Sequence, residues 1–140
     1  MNKFNLGNIV FSNKSNFVLI GGVNVLESKD FAIHTAGVYK DICKKLEIPL
    51  IFKASYDKAN RSSFNSFRGP GIMKGMEIFN EIKKCHSLPI VTDVHNIEEA
   101  KIASEFCDII QIPAFLARQT DLVEAIAKSK KIVNIKKPQF

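Results

Sequence analysis

Five short apolar runs recur along the chain: FVLIGG at 17–22, PLIFKA at 49–54, LPIVTD at 88–93, DIIQIP at 108–113 and KIVNIK at 131–136. None shows the polar alternation of a strand with one wet face, so each reads as a strand buried on both sides, the habit of parallel sheets. The segments between them have helical spacing. After Ser28, an N-cap residue type, Phe31, Thr35, Val38, Ile42 and Leu46 follow at three- and four-residue steps. After Gly71 the set Ile72, Met76, Phe79 and Ile82 does the same. Asn96 followed by Glu99 has the form of a capping box opening a helix that carries Ala100, Ala103 and Cys107. A fourth helix is expected from Thr120 through Ala127, with Asp121 and Glu124 near its positive end.

Strand and helix alternating four times and closed by a fifth strand predict the α/β class, with right-handed crossovers and a parallel sheet. Two layouts satisfy that order, a doubly wound open sheet and a piece of a (β/α)₈ barrel. The polar residues choose between them, because they gather at one end of every strand: Asn24, then Lys53 and Lys58, then Asp93 and His95, then Gln111, then Lys136. The carboxyl ends of the strands are where a barrel keeps its site. A complete barrel takes about 250 residues, against the 140 here. The expectation is a single incomplete barrel domain over 1–140, with five strands, four helices and a short N-terminal extension, lacking strands six to eight.

The run KASYDKANRSS at 53–63 packs two lysines, an arginine, an asparagine and three serines directly after a buried-looking strand. Such groups hold phosphate and carboxylate by charge-assisted hydrogen bonds. In KIVNIKKPQF, Lys136 and Lys137 must point to opposite sides because the strand period is two, so one can join the same pocket. A lysine there could also be a Schiff-base nucleophile if burial or nearby cations lower its pKa. Asp93 and His95 share a face and suit hydrogen bonding of substrate hydroxyls or acid/base work, while supplying too few ligands for a closed metal site. QIPAFLARQTD puts Gln111 at a strand end, then a Pro113–Ala114 turn able to present N–H groups to an anion. Phe115 reads as packing, and Arg118 as either an anion ligand or the surface start of a helix. Gly21–Gly22 is no nucleotide loop, and RGPG at 68–71 reads as turn chemistry before a helix.

The net charge of +6 and pI ≈ 9.3 point to anionic partners. A nucleic-acid partner would need a basic stripe interleaved with exposed aromatics, and the cations lie at strand ends instead, so none is expected. Cys43, Cys85 and Cys107 have no metal-site or disulfide spacing. No signal-peptide core and no apolar run of about 20 residues is found, so a soluble, cytoplasmic protein without membrane attachment is expected.

Taken together, GGVNVLES, FKASYDKANRSS, SFRGPG, TDVH, QIPAFLARQTDL and NIKKPQF resemble the 3-deoxy-D-manno-octulosonate 8-phosphate synthase family along essentially the whole chain. Its most specific element is KANRSS, where the related 3-deoxy-D-arabino-heptulosonate 7-phosphate synthases carry KPRTS. The resemblance implies a homotetrameric barrel transferase that condenses phosphoenolpyruvate with arabinose 5-phosphate for lipopolysaccharide biosynthesis, without a cofactor. By matching positions it implies that Lys53, Lys58 and Lys136, with Gln111, Pro113 and Ala114, bind phosphoenolpyruvate. Asn60, Arg61, Ser62 and Asp93 would bind the pentose phosphate, while Phe115 and Arg118 approach across a subunit interface. Asn24, where metal-dependent members carry Cys, implies that no metal is required, and Asn24, Lys58 and Lys136 are the catalytic candidates. The resemblance also implies that a phosphate-binding arginine, a histidine and two acidic site residues lie beyond this stretch, so the chain alone is expected to be inactive or nearly so. A Schiff-base class I aldolase, or a degenerate, non-catalytic anion-binding or interaction fragment, is the alternative.

Overall fold

The computed structural model describes residues 3–139. It begins with an antiparallel hairpin, β1 (Lys3–Leu6) and β2 (Ile9–Ser12), followed by β3 (Leu19–Gly22), α1 (Lys29–Lys45), β4 (Leu50–Lys53) and α2 (Ile72–His86). Then come β5 (Ile90–Asp93), α3 (Ile97–Phe106), β6 (Ile109–Ile112), a 3₁₀ turn at Ala114–Leu116, α4 (Thr120–Lys128) and β7 (Ile132–Ile135). Strands β3 to β7 form one parallel sheet in sequential order. The order never reverses, and all four helices share one core on one face, so the sheet is singly wound. That is the layout of a barrel segment, and the five strands and four helices lie where the apolar runs and helical spacings put them.

Strand parity builds the two faces. Leu50, Phe52 and Ala54, Ile90 and Val94, and Ile110 and Ile112 point to the helices and meet Ala32, Ala36, Met76, Phe79, Ile82, Ala100, Ala103, Leu122 and Ile126. The alternate positions Ile51, Val91 and Ile109 face the other way and form a second apolar cluster with Leu6, Ile9 and Phe11 of the hairpin. The hairpin turns at Gly7, whose φ of 55° suits glycine, and Phe4 stacks on Phe11 at 4.5 Å. It therefore closes the amino end of the sheet's open face, leaving the carboxyl end of that face free for polar residues. The sequence pattern gave this segment only as an extension, because a four-residue strand pair carries too little periodicity to read.

Ser28 caps α1 by accepting the Phe31 amide at 3.2 Å, as its residue type suggests. The buried stripe of α1 is nevertheless the one beside the spacing that predicts the helix. Ala32, Ala36 and Cys43 face the core, whereas Phe31, Val38, Ile42 and Leu46 are 46, 43, 52 and 61 % exposed. Small residues let α1 approach the sheet and α2 closely, and the larger ones turn outward. Helix α2 buries Met76, Phe79 and Ile82 as expected.

Gly75 sits mid-helix in α2, where alanine ordinarily improves stability. Here a Cβ would lie 2.4 Å from the Tyr56 Cβ, and Tyr56 is among the largest fully buried side chains. Gly75→Ala is therefore expected to destabilise the chain by about 1–3 kcal/mol through overpacking, measured by urea denaturation. An unchanged or raised midpoint would show that α2 shifts freely and that the Tyr56 contact is not fixed.

Candidate functional site

The open face of the sheet changes character two residues before the strands end. Below are Ile51, Val91 and Ile109; one pleat further on come Lys53, Asp93 and Gln111, and a pleat beyond that Ser55, His95 and Pro113. The registers Asp93↔Gln111 and Gln111↔Asn134 set these side chains in neighbouring rows. Asn134 donates to the Gln111 Oε1 at 2.9 Å across that register.

Asp93 is the centre of this layer. Its Oδ1 accepts from Ser55 Oγ at 2.6 Å and from Lys53 Nζ at 2.9 Å, and its Oδ2 lies 3.4 Å from His95 Nε2. Lys53 Nζ also reaches Ser55 Oγ at 3.0 Å. Burial alone would push the Asp93 carboxyl upward, but the bonds from His95, Lys53 and Ser55 outweigh it and hold the group well below the ordinary carboxylate range. An ion-paired lysine should move upward in turn, and Lys53 does not. Its pKa is lowered, first by burial and then by the nearby Lys58 and Lys136, against the opposing pull of Asp93. The layer therefore holds more positive charge than its one central carboxylate balances.

These residues line a cleft of about 480 Å³. Of the candidate residues, Lys53, Lys58, Asn60, Asp93, Gln111, Pro113, Ala114, Phe115 and Lys136 line it together. Lys136 lies on its wall and Lys137 does not, as the strand period requires. Asn24, Arg61, Ser62 and Arg118 stand outside the lining; Asn24, Ser62 and Arg118 are exposed, and Arg61 turns back onto its own loop. There its guanidinium donates to the Phe64 carbonyl at 3.0 and 3.2 Å and stacks 5.4 Å from the Phe64 ring centre. A bidentate Arg68–Asp57 pair, at 2.6 and 2.7 Å, ties together the loop's two ends. Phe115, 72 % exposed, is at the cleft rim rather than in a core.

Several contributors carry a weaker sequence signal. Ser55 and Asn134 share strand parity with Lys53 and Lys136, and that parity is the signal that finds them. Gln139 lines the cleft from an irregular segment and Leu116 from the short 3₁₀ turn, where no periodicity points to them. Asn96 caps α3 by accepting the Glu99 amide at 2.8 Å, but the returning half of the capping box is absent. The Glu99 carboxylate goes instead to His95 and Tyr56. Among the described residues no helix is long and apolar enough to cross a membrane.

A parallel β/α scaffold that sets lysines, amide donors and one paired carboxylate at the carboxyl ends of its strands has the layout of the barrel class, with its candidate site at the barrel's usual end. The chain belongs to the DAHP synthetase I family, whose sequence model matches residues 3–140. It is 63 % identical over 135 residues to the 2-dehydro-3-deoxyphosphooctonate aldolase of Prochlorococcus marinus (strain MIT 9313), covering 96 % of this chain and 48 % of that protein. Proteins of the same name from Acinetobacter baylyi and Shewanella baltica are 62 % and 58 % identical, over 96 % and 97 % of this chain and 47 % and 48 % of their own lengths. The chain thus spans about half the length of the curated relatives it matches. Those names coincide with the resemblance read from the motifs.

The central network carries its own pH dependence. Burial opposes a charge on His95, but Asp93, Glu99 and Asp57 outweigh it and raise the imidazole pKa above its ordinary value. A raised folded-state pKa gives a contribution that is complete below about pH 6.5 and is lost as pH rises through the folded value. Asp93 behaves oppositely, contributing above about pH 3.9 and losing its contribution as pH falls through its depressed value. The stability difference between the wild type and His95→Gln is accordingly expected to be larger at pH 6 than at pH 8.5, read from urea midpoints. A difference independent of pH would remove the imidazolium from the network.

Proposed function

We propose that the chain supplies the first strands of a (β/α) barrel that condenses phosphoenolpyruvate with arabinose 5-phosphate and water, giving 3-deoxy-D-manno-octulosonate 8-phosphate and inorganic phosphate. The observation that carries this reading is the convergence of Lys53, Lys58 and Lys136 on one cleft whose central carboxylate pairs with only one of them. A substrate bearing a phosphate and a carboxylate answers that excess charge. The family description names a heptulosonate synthetase, while the individual relatives are named octonate aldolases. Identities of 58–63 % along nearly the whole chain and the KANRSS sequence favour the octonate reaction.

In this reading Lys53, Lys58 and Lys136, with Gln111 and the Pro113–Ala114 turn, bind phosphoenolpyruvate. Asn60, Arg61, Ser62 and Asp93 receive the pentose phosphate, with Arg61 leaving its contact with Phe64 to reach the phosphate. Carbon 3 of the enol attacks the aldehyde, water adds at carbon 2, and phosphate departs with its bridging oxygen. Fixed cations hold two mutually repelling reactants in contact and need no reorganisation as charge moves. Lys58 and Lys136 serve proton transfer at the aldehyde and phosphate oxygens, and Asn24 stands where no metal is needed. The site is completed by further β/α units. Strands β3 and β7 are the sheet's two edges, and α1 presents Phe31, Val38, Ile42 and Leu46 outward, a surface that suits another helix of the barrel. The exposed Phe115 and Arg118 suit a subunit interface of a homotetramer.

The test is phosphate release from phosphoenolpyruvate by the chain, alone and co-expressed with the C-terminal half of the Acinetobacter baylyi relative. Release is expected to require both that half and arabinose 5-phosphate, to survive a chelator, and to fall at least about 100-fold in Lys136→Met. Saturable phosphoenolpyruvate binding without turnover in the co-expressed assembly would contradict the reading and favour a non-catalytic anion-binding protein.

A further inference from the structure

Glu99 lies behind the cleft wall on the first turn of α3, and the proposed reaction gives it no task. Its carboxylate is nonetheless heavily engaged. Oε2 accepts the Tyr56 hydroxyl at 2.7 Å and the His95 amide at 2.9 Å, and faces His95 Nδ1 at 3.2 Å. Tyr56 is 1 % exposed and its ring meets the His95 ring edge-on at 5.9 Å. The other imidazole nitrogen, Nε2, faces Asp93 Oδ2 at 3.4 Å.

A neutral imidazole has one N–H and one bare nitrogen. If Nδ1 were bare, its lone pair would face the Glu99 carboxylate; if Nε2 were bare, its lone pair would face Asp93. Only a doubly protonated ring meets both carboxylates as a donor. The Tyr56 hydroxyl and the His95 amide fix the Glu99 oxygen in place, so the ring's orientation follows from the backbone at the start of α3.

We propose that Glu99, oriented by Tyr56, is a positioning residue that holds His95 as an imidazolium facing both Glu99 and Asp93, which adds a fixed positive charge to the cleft wall alongside Lys53, Lys58 and Lys136. That this cation meets a phosphorylated substrate rests on the proposed function; the state of the ring does not. The charged and titratable groups facing the ring are Asp93 from β5, Glu99 from α3, and Tyr56 and Asp57 from the segment after β4, with Lys53 acting through Asp93. A negative group at that distance raises a histidine's pKa, and its removal lowers it.

The experiment is a pH titration of the imidazole nitrogens by long-range ¹H–¹⁵N NMR on the whole chain labelled at histidine, with His34 and His86 as internal references. In the wild type both His95 nitrogens are expected in the protonated range at pH 6.5, with the midpoint above that of an ordinary histidine. Glu99→Gln, which keeps an acceptor and the side-chain length, is expected to lower the His95 midpoint by about one pH unit or more, with His34 and His86 unmoved. Glu99→Asp, which keeps the charge, is expected to recover part of the loss. A wild-type ring that is neutral at pH 6.5, or equal midpoints in wild type and Glu99→Gln, would overturn the proposal. In the assembly co-expressed with the relative's C-terminal half, the alkaline limb of kcat is expected to move to lower pH in Glu99→Gln, with KM for phosphoenolpyruvate changed less than kcat. Absence of turnover in the wild-type assembly would count against the proposed reaction, and the NMR midpoints would still decide the role of Glu99.

Discussion

A carboxylate taken out of water has to be paired, and Asp93 is the buried carboxylate on which this site depends. It stands at the end of β5 with neighbours on two sides. Ser55 and Lys53 reach it from β4 and the residues beyond, and His95 reaches it from two positions past the end of its strand. Each partner is thereby fixed in direction: Lys53 lies along the open face of the sheet, and His95 is turned so that its far nitrogen meets Glu99. The same bonds leave Lys58 and Lys136 without a share in that charge, so the cleft stays positive. Pairing one carboxylate thus orders the polar layer and leaves its excess of cations uncompensated.

The layer also depends on the apolar one beneath it. Ile51, Val91 and Ile109 with the hairpin residues Leu6, Ile9 and Phe11 close the amino end of the open face. On the opposite face, the helix core fixes the strand registers that set Asp93 beside Gln111 and Gln111 beside Asn134. Site and core are alternate positions of the same strands. A one-residue slip would send Lys53 and Asp93 into the helix core, so the geometry of the site is specified by the hydrophobic pattern itself.

That coupling explains which parts were legible in the sequence. The five strands were, because continuous apolar runs have few other uses, and so was the cluster of Lys53, Asp93, Gln111 and Lys136, because strand parity carries it. Parity also reaches Ser55 and Asn134, which sit in step with those residues. The buried face of α1 was not legible: its contact with the sheet is made by Ala32 and Ala36, which carry weak hydrophobic signal, while the conspicuous Phe31, Val38, Ile42 and Leu46 face outward. Nor were the directions of Arg61, Ser62 and Arg118, which lie on irregular segments where no period relates a side chain to a face. Glu99 shows how a local rule yields to tertiary context. Its spacing from Asn96 fits a capping box, but a buried tyrosine hydroxyl and a histidine compete for the same oxygen and win.

If the cations at the carboxyl end of the open face form one anion site fixed by Asp93, they respond together to a single anionic ligand. The most direct measurement is a titration of the ¹⁵N-labelled chain with phosphoenolpyruvate, followed residue by residue through its amide resonances. Saturable shifts are expected at Lys53, Lys58, Ala114 and Lys136, weakened by salt and abolished when Lys58 and Lys136 are both replaced by methionine. Shifts scattered over lysines elsewhere on the surface, or no saturable change at these positions, would contradict a single site.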